Sequence, residues 1–201
     1  MIDTHARKWA DPVIDKTADW FLNRRWTANQ VTVLAFGIGV LTGPLIYFDA
    51  AWAAFICLWI SGFLDTVDGA MARKTSPSAF GTVLDITFDR LVEASVLLGL
   101  AFRYPDLMWL LLLLSVSILF SITVFLTVGN MSERSGIKSF YYQAGLAERT
   151  EGFILFSVMM LFPAILLYST ALFLFVETFT ALQRLLEAKR LLKEQDDNAT
   201  D

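Results

Sequence analysis

The chain has 201 residues, of which 56% are hydrophobic and only 18% are charged. A soluble domain of this size usually carries about 25% charged residues, so the composition indicates that lipid surrounds much of the chain and excludes a disordered protein. The single cysteine, Cys57, excludes an internal disulfide, and the net charge of -4 offers no basic field for binding nucleic acid.

The first predicted element is an amphipathic helix over residues 9–26. Trp9, Trp20 and Trp26 lie among charged residues in this segment. Tryptophan is enriched at the level of the lipid headgroups, so the helix is expected to lie in that layer. A polar, frayed tail is the alternative, and the segment lacks the apolar core of a signal peptide.

Six membrane-spanning helices are predicted to follow, because crossing a ~30 Å hydrocarbon core takes ~20 helical residues. Two of them are long uncharged runs, and two are apolar with acidic residues near one end. In chain order the predicted spans are residues 30–48, 50–72, 81–102, 107–129, 148–167 and 170–190.

The last two spans come from one apolar stretch, Gly152 to Gln183, which at ~1.5 Å per residue is too long for a single crossing. A turn is therefore predicted at Leu167–Thr170. Pro44 and Pro163 are expected to bend their spans, and residues 196–201 are expected to form a disordered tail.

The distribution of basic residues supports six spans and sets their orientation. Cytoplasmic segments of membrane proteins are rich in lysine and arginine. With six spans, only Arg103 of the 16 basic residues lies on the far side, whereas five spans would also place the basic C-terminal segment there. Residues 1–201 are therefore predicted to form one all-α integral membrane domain with both termini in the cytoplasm.

Four aspartates within the spans form the candidate site. Asp65 and Asp68 lie near the end of the second span, and Asp85 and Asp89 lie near the start of the third. A carboxylate inside a bilayer costs at least ~2.5 kcal/mol, so such acids are expected to be paired, bound to metal or open to water. Each pair has helical spacing, and both pairs lie at cytoplasmic ends, so they can converge. Oxygen ligands without His or Cys favour Mg²⁺ or Mn²⁺, and two such ions would balance four charges.

The residues between the two acidic pairs favour a lipid substrate that contains phosphate. Gly69 and Gly81 leave space for a ligand, and Arg73 provides a planar cation that suits a phosphate. Ser78 and Thr82 add hydroxyl donors near the start of a helix. The alternative is that the acids and Arg73 only form salt bridges at the ends of the spans.

Eight of these residues, at fixed spacing over 25 positions, resemble the motif of the CDP-alcohol phosphotransferase family of membrane enzymes: Asp65, Asp68, Gly69, Ala72, Arg73, Gly81, Asp85 and Asp89. The resemblance implies transfer of a phosphatidyl group from CDP-diacylglycerol to a small polar alcohol, with release of CMP, in phospholipid biosynthesis. It also implies a homodimer. The stretch from Lys138 to Glu151 is similar to a bacterial branch of the family, which implies a bacterial inner or cytoplasmic membrane.

The resemblance further implies a role for each residue of the motif. Two divalent cations, Mg²⁺ or Mn²⁺, would be held by Asp65, Asp68, Asp85 and Asp89. Asp89 would also be the catalytic base that accepts the proton of the alcohol, since a carboxylate beside cations stays ionised. The residues that would bind the CDP-lipid are Asn29, Asp65, Gly69, Ala72, Arg73, Ser78 and Gly81.

Three further cations are candidates for binding an acceptor alcohol that carries a phosphate: Arg90, Lys138 and Arg149. A simple Arg90–Glu93 pair within one helix, and positive-inside signals at the other two positions, are the alternatives. A phosphorylated polyol is the predicted acceptor, with serine or an unphosphorylated polyol as second choice.

Three rival functions are open. A divalent-cation transporter would also place carboxylates within spans, although it would have no use for the glycines and the arginine of the motif. A catalytically silent scaffold would keep the fold without the reaction. A related enzyme would transfer a phospho-alcohol from a soluble CDP-alcohol to diacylglycerol.

Overall fold

The computed structural model describes the backbone of residues 2–134 and 149–199, and the side chains of residues 11–131 and 150–189. The described residues form helices and connecting turns, with no β-strand. The helices are α1 (Ile2–Asn23), α2 (Ala28–Gly39), α3 (Thr42–Tyr47), α4 (Ala51–Lys74), α5 (Ala79–Arg103), α6 (Met108–Arg134), α7 (Arg149–Leu161) and α8 (Leu166–Ala199).

Four helical segments of the described chain are long and apolar enough to cross a membrane: Ala28–Tyr47, Ala51–Lys74, Pro105–Met131 and Pro163–Lys189. These segments and the all-helical fold confirm the prediction of an all-α integral membrane protein. Helix α5 has 25 residues but carries several charges, and α7 has only 13 residues. Passage of these two helices through the membrane, which six spans require, stays a prediction.

Helix α1 packs against α4 through a short apolar face. Ala18 and Phe21 are buried in one cluster with Val67 and Met71 of α4, whereas Trp20 is exposed. An amphipathic helix of this kind buries one side on its neighbour and leaves the other for solvent or headgroups. Its position in the headgroup layer stays a prediction, and the helix begins several residues before the predicted start at residue 9.

The first apolar segment is broken between α2 and α3, just before Pro44, and the bend predicted at Pro44 stays a prediction. A proline within a helix has no N–H for the carbonyl four residues earlier, here that of Val40. The freed Val40 oxygen accepts a hydrogen bond from Ser95 Oγ of α5 at 2.7 Å. Ser95 Oγ in turn accepts a bond from the Gly43 N–H at 3.2 Å, so one side chain satisfies both groups at the break.

Helices α3 and α5 approach each other until their backbones touch. A Cβ atom placed on Gly99 would lie 2.7 Å from the Gly43 Cα, and one on Gly43 would lie 2.8 Å from the Ser95 carbonyl carbon. Only glycine permits such an approach, because it has no side chain to displace. Around this contact lies the larger apolar core, built from α3 to α8 and centred on buried residues such as Leu58, Leu100 and Phe156.

The turn between the last two helices corrects two predictions. It lies at Phe162–Ile165, not at Leu167–Thr170, which is helical, and Pro163 starts this turn rather than bending a span. A proline disfavours helical geometry in the residue before it. Phe162 accordingly adopts φ -124 and ψ 69, nearly the values of Tyr104 before Pro105 in the turn from α5 to α6 (φ -126, ψ 71).

Helix α8 runs to Ala199 and so passes the predicted start of a disordered tail at residue 196. Its last turns consist mainly of Leu, Glu, Lys, Arg, Gln and Ala, which have high helix propensity. The helix packs lengthwise on α6, where Ser117 Oγ and Thr178 Oγ1 share a hydrogen bond of 2.8 Å.

Helix α7 contacts α4. Trp59 Nε1 of α4 donates a hydrogen bond to Ser157 Oγ of α7 at 3.0 Å.

Candidate active site

Three carboxylates meet where α4 ends and α5 begins, a region that we call the carboxylate end. Asp65, Asp68 and Asp85 each place one oxygen within 4.8 Å of the others. Asp68 is only 5% exposed, and the other two are half-buried. Helical spacing puts Asp65 and Asp68 on one face of α4, and the return of the chain through α5 brings Asp85 to that face.

Asp89, the fourth acid of the motif, follows Asp85 by one turn of α5 and is not a member of this three-carboxylate group. It is half-buried. Because a turn of α-helix rises about 5.4 Å, Asp89 lies further from the helix start than the other acid of α5.

The three-carboxylate group fits a divalent cation by its chemistry. Its donors are all oxygens, which Mg²⁺ and Mn²⁺ prefer. Carboxylates this close together repel one another when ionised, and a bound cation removes that repulsion. Among the described residues, this is the acidic group that could hold a metal ion.

The last turns of α4 carry Gly69, Ala72 and Arg73. Arg73 is exposed, and its guanidinium lies back along the helix, since Nη1 would be 3.4 Å from a Cβ on Gly69. That is an ordinary van der Waals distance, and the described structure places nothing closer. The Gly69 surface is therefore open beside a cation that can bind a phosphate with two parallel hydrogen bonds.

The start of α5 contacts the start of α2 through Asn29, Ser78 and Gly81. Ser78 is the N-cap of α5, and its Oγ accepts a bond from the Gly81 N–H at 3.0 Å. A Cβ on Gly81 would lie 2.9 Å from both Asn29 Oδ1 and Ser78 Oγ. A Cβ at Gly81 would therefore require one of these side chains to move, and the Ser78 hydroxyl has a structural role that sequence reasoning did not assign.

A second polar group lies between α5, α6 and α8. Arg90 Nη2 and Glu93 Oε1 form an ion pair at 2.7 Å, as in the simpler of the two predicted readings of Arg90. Glu177 of α8 is hydrogen-bonded to Ser121 of α6 and lies within electrostatic reach of Arg90 and Arg184. Sequence reasoning assigned no role to Glu177, although it is the only charged residue between Gly152 and Gln183.

Two of the three predicted acceptor cations lie outside the described side chains. Lys138 lies outside the described residues. Arg149 is the first residue of α7, and its side chain lies outside the described ones. Of the predicted acceptor residues, Arg90 is the one whose contacts are known.

The family model for CDP-alcohol phosphatidyltransferase matches residues 25–183, which include α2 to α7, the carboxylate end and half of α8. The chain belongs to the CDP-alcohol phosphatidyltransferase family. The resemblance drawn from the motif is thereby confirmed, and the protein is a transferase of phospholipid biosynthesis.

Several relatives match most of the chain. Inner membrane protein YnjF of Escherichia coli is 31% identical over 172 residues, covering 82% of this chain and 84% of its own. Archaetidylinositol phosphate synthase of Pyrococcus horikoshii is 35% identical over 172 residues, covering 83% of this chain and 86% of its own.

The fold is similar to that of phosphatidylinositol phosphate synthase of Mycobacterium tuberculosis. Its complex with manganese and citrate has a TM-score of 0.70 and 26% identity, and the match covers 87% of this chain and 88% of that one. Its complex with CDP-DAG has a TM-score of 0.71 and 24% identity, covering 88% of this chain and 94% of that one.

Proposed function

We propose that the protein transfers a phosphatidyl group from CDP-diacylglycerol to a phosphorylated polyol and releases CMP. The observation that carries the proposal is the convergence of Asp65, Asp68 and Asp85 beside the open Gly69 surface and Arg73. Relatives named as synthases of archaetidylinositol phosphate and phosphatidylinositol phosphate support an inositol phosphate as the first acceptor to test.

Different side chains of the site bind the cations, the diphosphate and the nucleotide. In this proposal Asp65, Asp68, Asp85 and Asp89 hold two divalent cations, Mg²⁺ or Mn²⁺. When bound, such ions supply stabilisation of the charge on the entering and leaving oxygens. Arg73 binds the diphosphate, and the residues that line the nucleotide are Asn29, Gly69, Ala72, Ser78 and Gly81.

Asp89 accepts the proton of the acceptor hydroxyl in this proposal. The hydroxyl oxygen then forms a bond to the phosphorus of the phosphatidyl group, and the bond from that phosphorus to the bridging oxygen of CMP breaks. Such in-line transfer depends mainly on positioning and electrostatic stabilisation, which carboxylate-held cations and Arg73 provide. Asp89 stands one turn beyond the three-carboxylate group, a position suited to a base that acts beside the metal ligands.

The same proposal includes the arrangement in the membrane. The chain crosses the membrane six times, and α1 lies in the headgroup layer. The carboxylate end and both termini lie in the cytoplasm, which agrees with the positive-inside rule. Arg103, the exception, lies at the other end of α5, 3.0 Å from Asp49. The name of the Escherichia coli relative supports a bacterial inner membrane. We propose a homodimer as the assembly.

The test is to incubate purified protein with Mg²⁺ or Mn²⁺, CDP-diacylglycerol and a panel of alcohols that includes inositol phosphate and glycerol phosphate. We expect CMP release and a phospholipid whose mass identifies the acceptor. Asp89→Asn should abolish transfer while CDP-lipid binding persists, and Asp106→Asn, an exposed acid in the α5–α6 turn, should retain parental activity. Activity of Asp89→Asn within about tenfold of the parent would remove Asp89 as the base.

Two further arms separate the rivals. Lipid formation only from a soluble CDP-alcohol and diacylglycerol would reverse the roles of the substrates. Cation flux into vesicles without CMP release would instead indicate a transporter.

The acceptor class has its own prediction. Replacing Lys138 and Arg149 by Gln should raise the KM for a phosphorylated acceptor much more than the KM for CDP-diacylglycerol, because only the acceptor's anion loses its partners. Arg103→Gln at the other end of α5 is the control. Unchanged acceptor kinetics in the double variant would leave both residues as topology signals.

A further inference from the structure

A groove lies between the starts of α2 and α5, outside the three-carboxylate group. Its volume is about 700 Å³, and it is open along one side. Arg24, Arg25 and Trp26 line one end. Apart from Asn29 and Gln30, the rest is lined by the apolar residues Val33, Leu34, Phe80 and Leu84. Asn29 also lines it, so the groove adjoins the candidate nucleotide site without containing its carboxylates.

The two arginines bring positive charge that none of the described acidic side chains neutralises. Both are exposed, and neither forms an ion pair with a side chain that the structure describes. Lys74 and Arg103, in contrast, each lie against an aspartate. The Arg24 guanidinium is held 4.0 Å above the Trp20 ring. Arginine presents a fork of N–H donors that matches a phosphate, so this end of the groove suits an anionic headgroup.

The backbone fixes one of these arginines at the turn. Arg25 has φ 62, a left-handed conformation that residues other than glycine and asparagine rarely adopt. The turn it forms leads into the capped start of α2, where Thr27 and Gln30 exchange hydrogen bonds. Arg25 is therefore carried on a turn of defined shape at the end of an apolar helix.

The remaining wall of the groove is apolar and open to the surroundings. Val33 is 51% exposed and Phe80 is 65% exposed. Val33 lies one turn into α2 from Asn29, so the apolar surface runs from the arginines along the helix towards the hydrocarbon region. An acyl chain can bury its apolar surface there, whereas a water-soluble anion has no apolar group to bury.

We propose that this groove binds one anionic phospholipid of the surrounding bilayer, which the enzyme does not consume. Its phosphate lies on Arg24 and Arg25, and an acyl chain lies against Val33, Phe80 and Leu84. A zwitterionic lipid fits less well, because its ammonium group would lie beside two cations. The substrate's diphosphate belongs at Arg73 and the carboxylates, so this lipid is a second one.

The experiment is native mass spectrometry of the full-length protein in detergent, titrated with dioleoylphosphatidylglycerol or dioleoylphosphatidylcholine. We expect phosphatidylglycerol to bind at least about tenfold more tightly. The variant Arg24→Gln/Arg25→Asn should remove that preference, and asparagine keeps the left-handed turn. The variant Lys16→Gln/Arg103→Gln, with the same change in net charge outside the groove, should keep the preference. Equal binding of the two lipids by the parent, or equal loss in both variants, would overturn the proposal.

A second variant tests the groove itself. Val33→Trp leaves both arginines in place and fills the apolar wall, so it should weaken phosphatidylglycerol binding about tenfold. Unchanged affinity would place the lipid on the surface rather than in the groove. Displacement by inorganic phosphate would show a simple anion site, and displacement by CDP-diacylglycerol would show the substrate's own site. Either result would overturn the proposal of a second bound lipid, whether or not the enzyme transfers phosphatidyl groups.

Discussion

Helix α5 meets its neighbours in opposite ways at its two ends. Near its C-terminal end, Gly99 lies directly on Gly43 of α3, so that no side chain could be added between them. Beside its N-terminal end, Gly69 of α4 faces open space bounded by the Arg73 guanidinium. Gly99 thus permits close packing of two backbones, whereas Gly69 leaves room for a ligand.

The two ends of α5 differ in the contacts that stabilise them. The end around Gly43 and Gly99 carries the larger apolar core and the two hydrogen bonds of Ser95. The carboxylate end has repelling acids and an open surface, which cannot stabilise the helices by themselves. We infer that the packed end fixes the separation of α4 and α5, and that the carboxylate end depends on it.

The largest expected effect comes from adding a methyl group at the packed end. Gly99→Ala should destabilise the protein by about 3 kcal/mol or more, because a Cβ there meets backbone atoms that cannot rotate away. Thermal unfolding in detergent measures this. Gly37→Ala is the matched control, since a Cβ at Gly37 meets nothing within 4 Å and should leave stability unchanged or slightly higher. Equal stability of the two variants would contradict close packing as the source of rigidity.

A smaller effect is expected from removing divalent ions from the carboxylate end. A ligand at 100 times its Kd stabilises a folded protein by about 2.7 kcal/mol, so chelation should lower the unfolding temperature and stop turnover. Added Mg²⁺ or Mn²⁺ should restore both. In Asp68→Asn the loss of stability on chelation should shrink, because one of the repelling charges is gone. A chelator without effect on the parent would refute metal binding by this group.

The smallest effect on stability is expected at Gly69. A Cβ there makes only an ordinary contact, so Gly69→Ala should change the unfolding free energy by less than about 0.5 kcal/mol. Its methyl group enters the proposed diphosphate site, so the KM for CDP-diacylglycerol should rise. Unfolding and kinetic measurements on the same preparation test both statements. A large loss of stability would show that both glycines serve packing.

The sequence predicted which acids meet at the carboxylate end, but it did not predict the polar contacts around them. Helical spacing and the return of the chain were enough to bring Asp65, Asp68 and Asp85 to one place. The Ser78 cap was not foreseen, because a serine before a helix reads equally well as a ligand or as a cap. The contact of Glu177 with Ser121 depends on the packing of α6 and α8, which hydropathy does not specify.

Helix ends were predicted less well near prolines, because a proline can lie within a span or start a turn between two helices. Pro44 lies in the first turn of α3, after the break that separates it from α2, whereas Pro163 starts a turn between two helices. At both prolines that start a turn, the residue before the proline is outside the helical region: Tyr104 before Pro105 and Phe162 before Pro163. The choice at Pro44 depends on Ser95, which lies far away in sequence and accepts and donates the displaced hydrogen bonds.

The contact between Lys74 and α1 links the membrane surface to the chemistry. Lys74 Nζ lies 3.1 Å from Asp15 Oδ1 and 2.8 Å from Asp19 Oδ1, and the residue before it in α4 is Arg73. A tilt of α1 would therefore be transmitted to the turn of α4 that carries Arg73, the proposed ligand of the diphosphate. With α1 in the headgroup layer, as proposed, a change in bilayer thickness or surface charge would act through Asp15 and Asp19 on the position of that guanidinium.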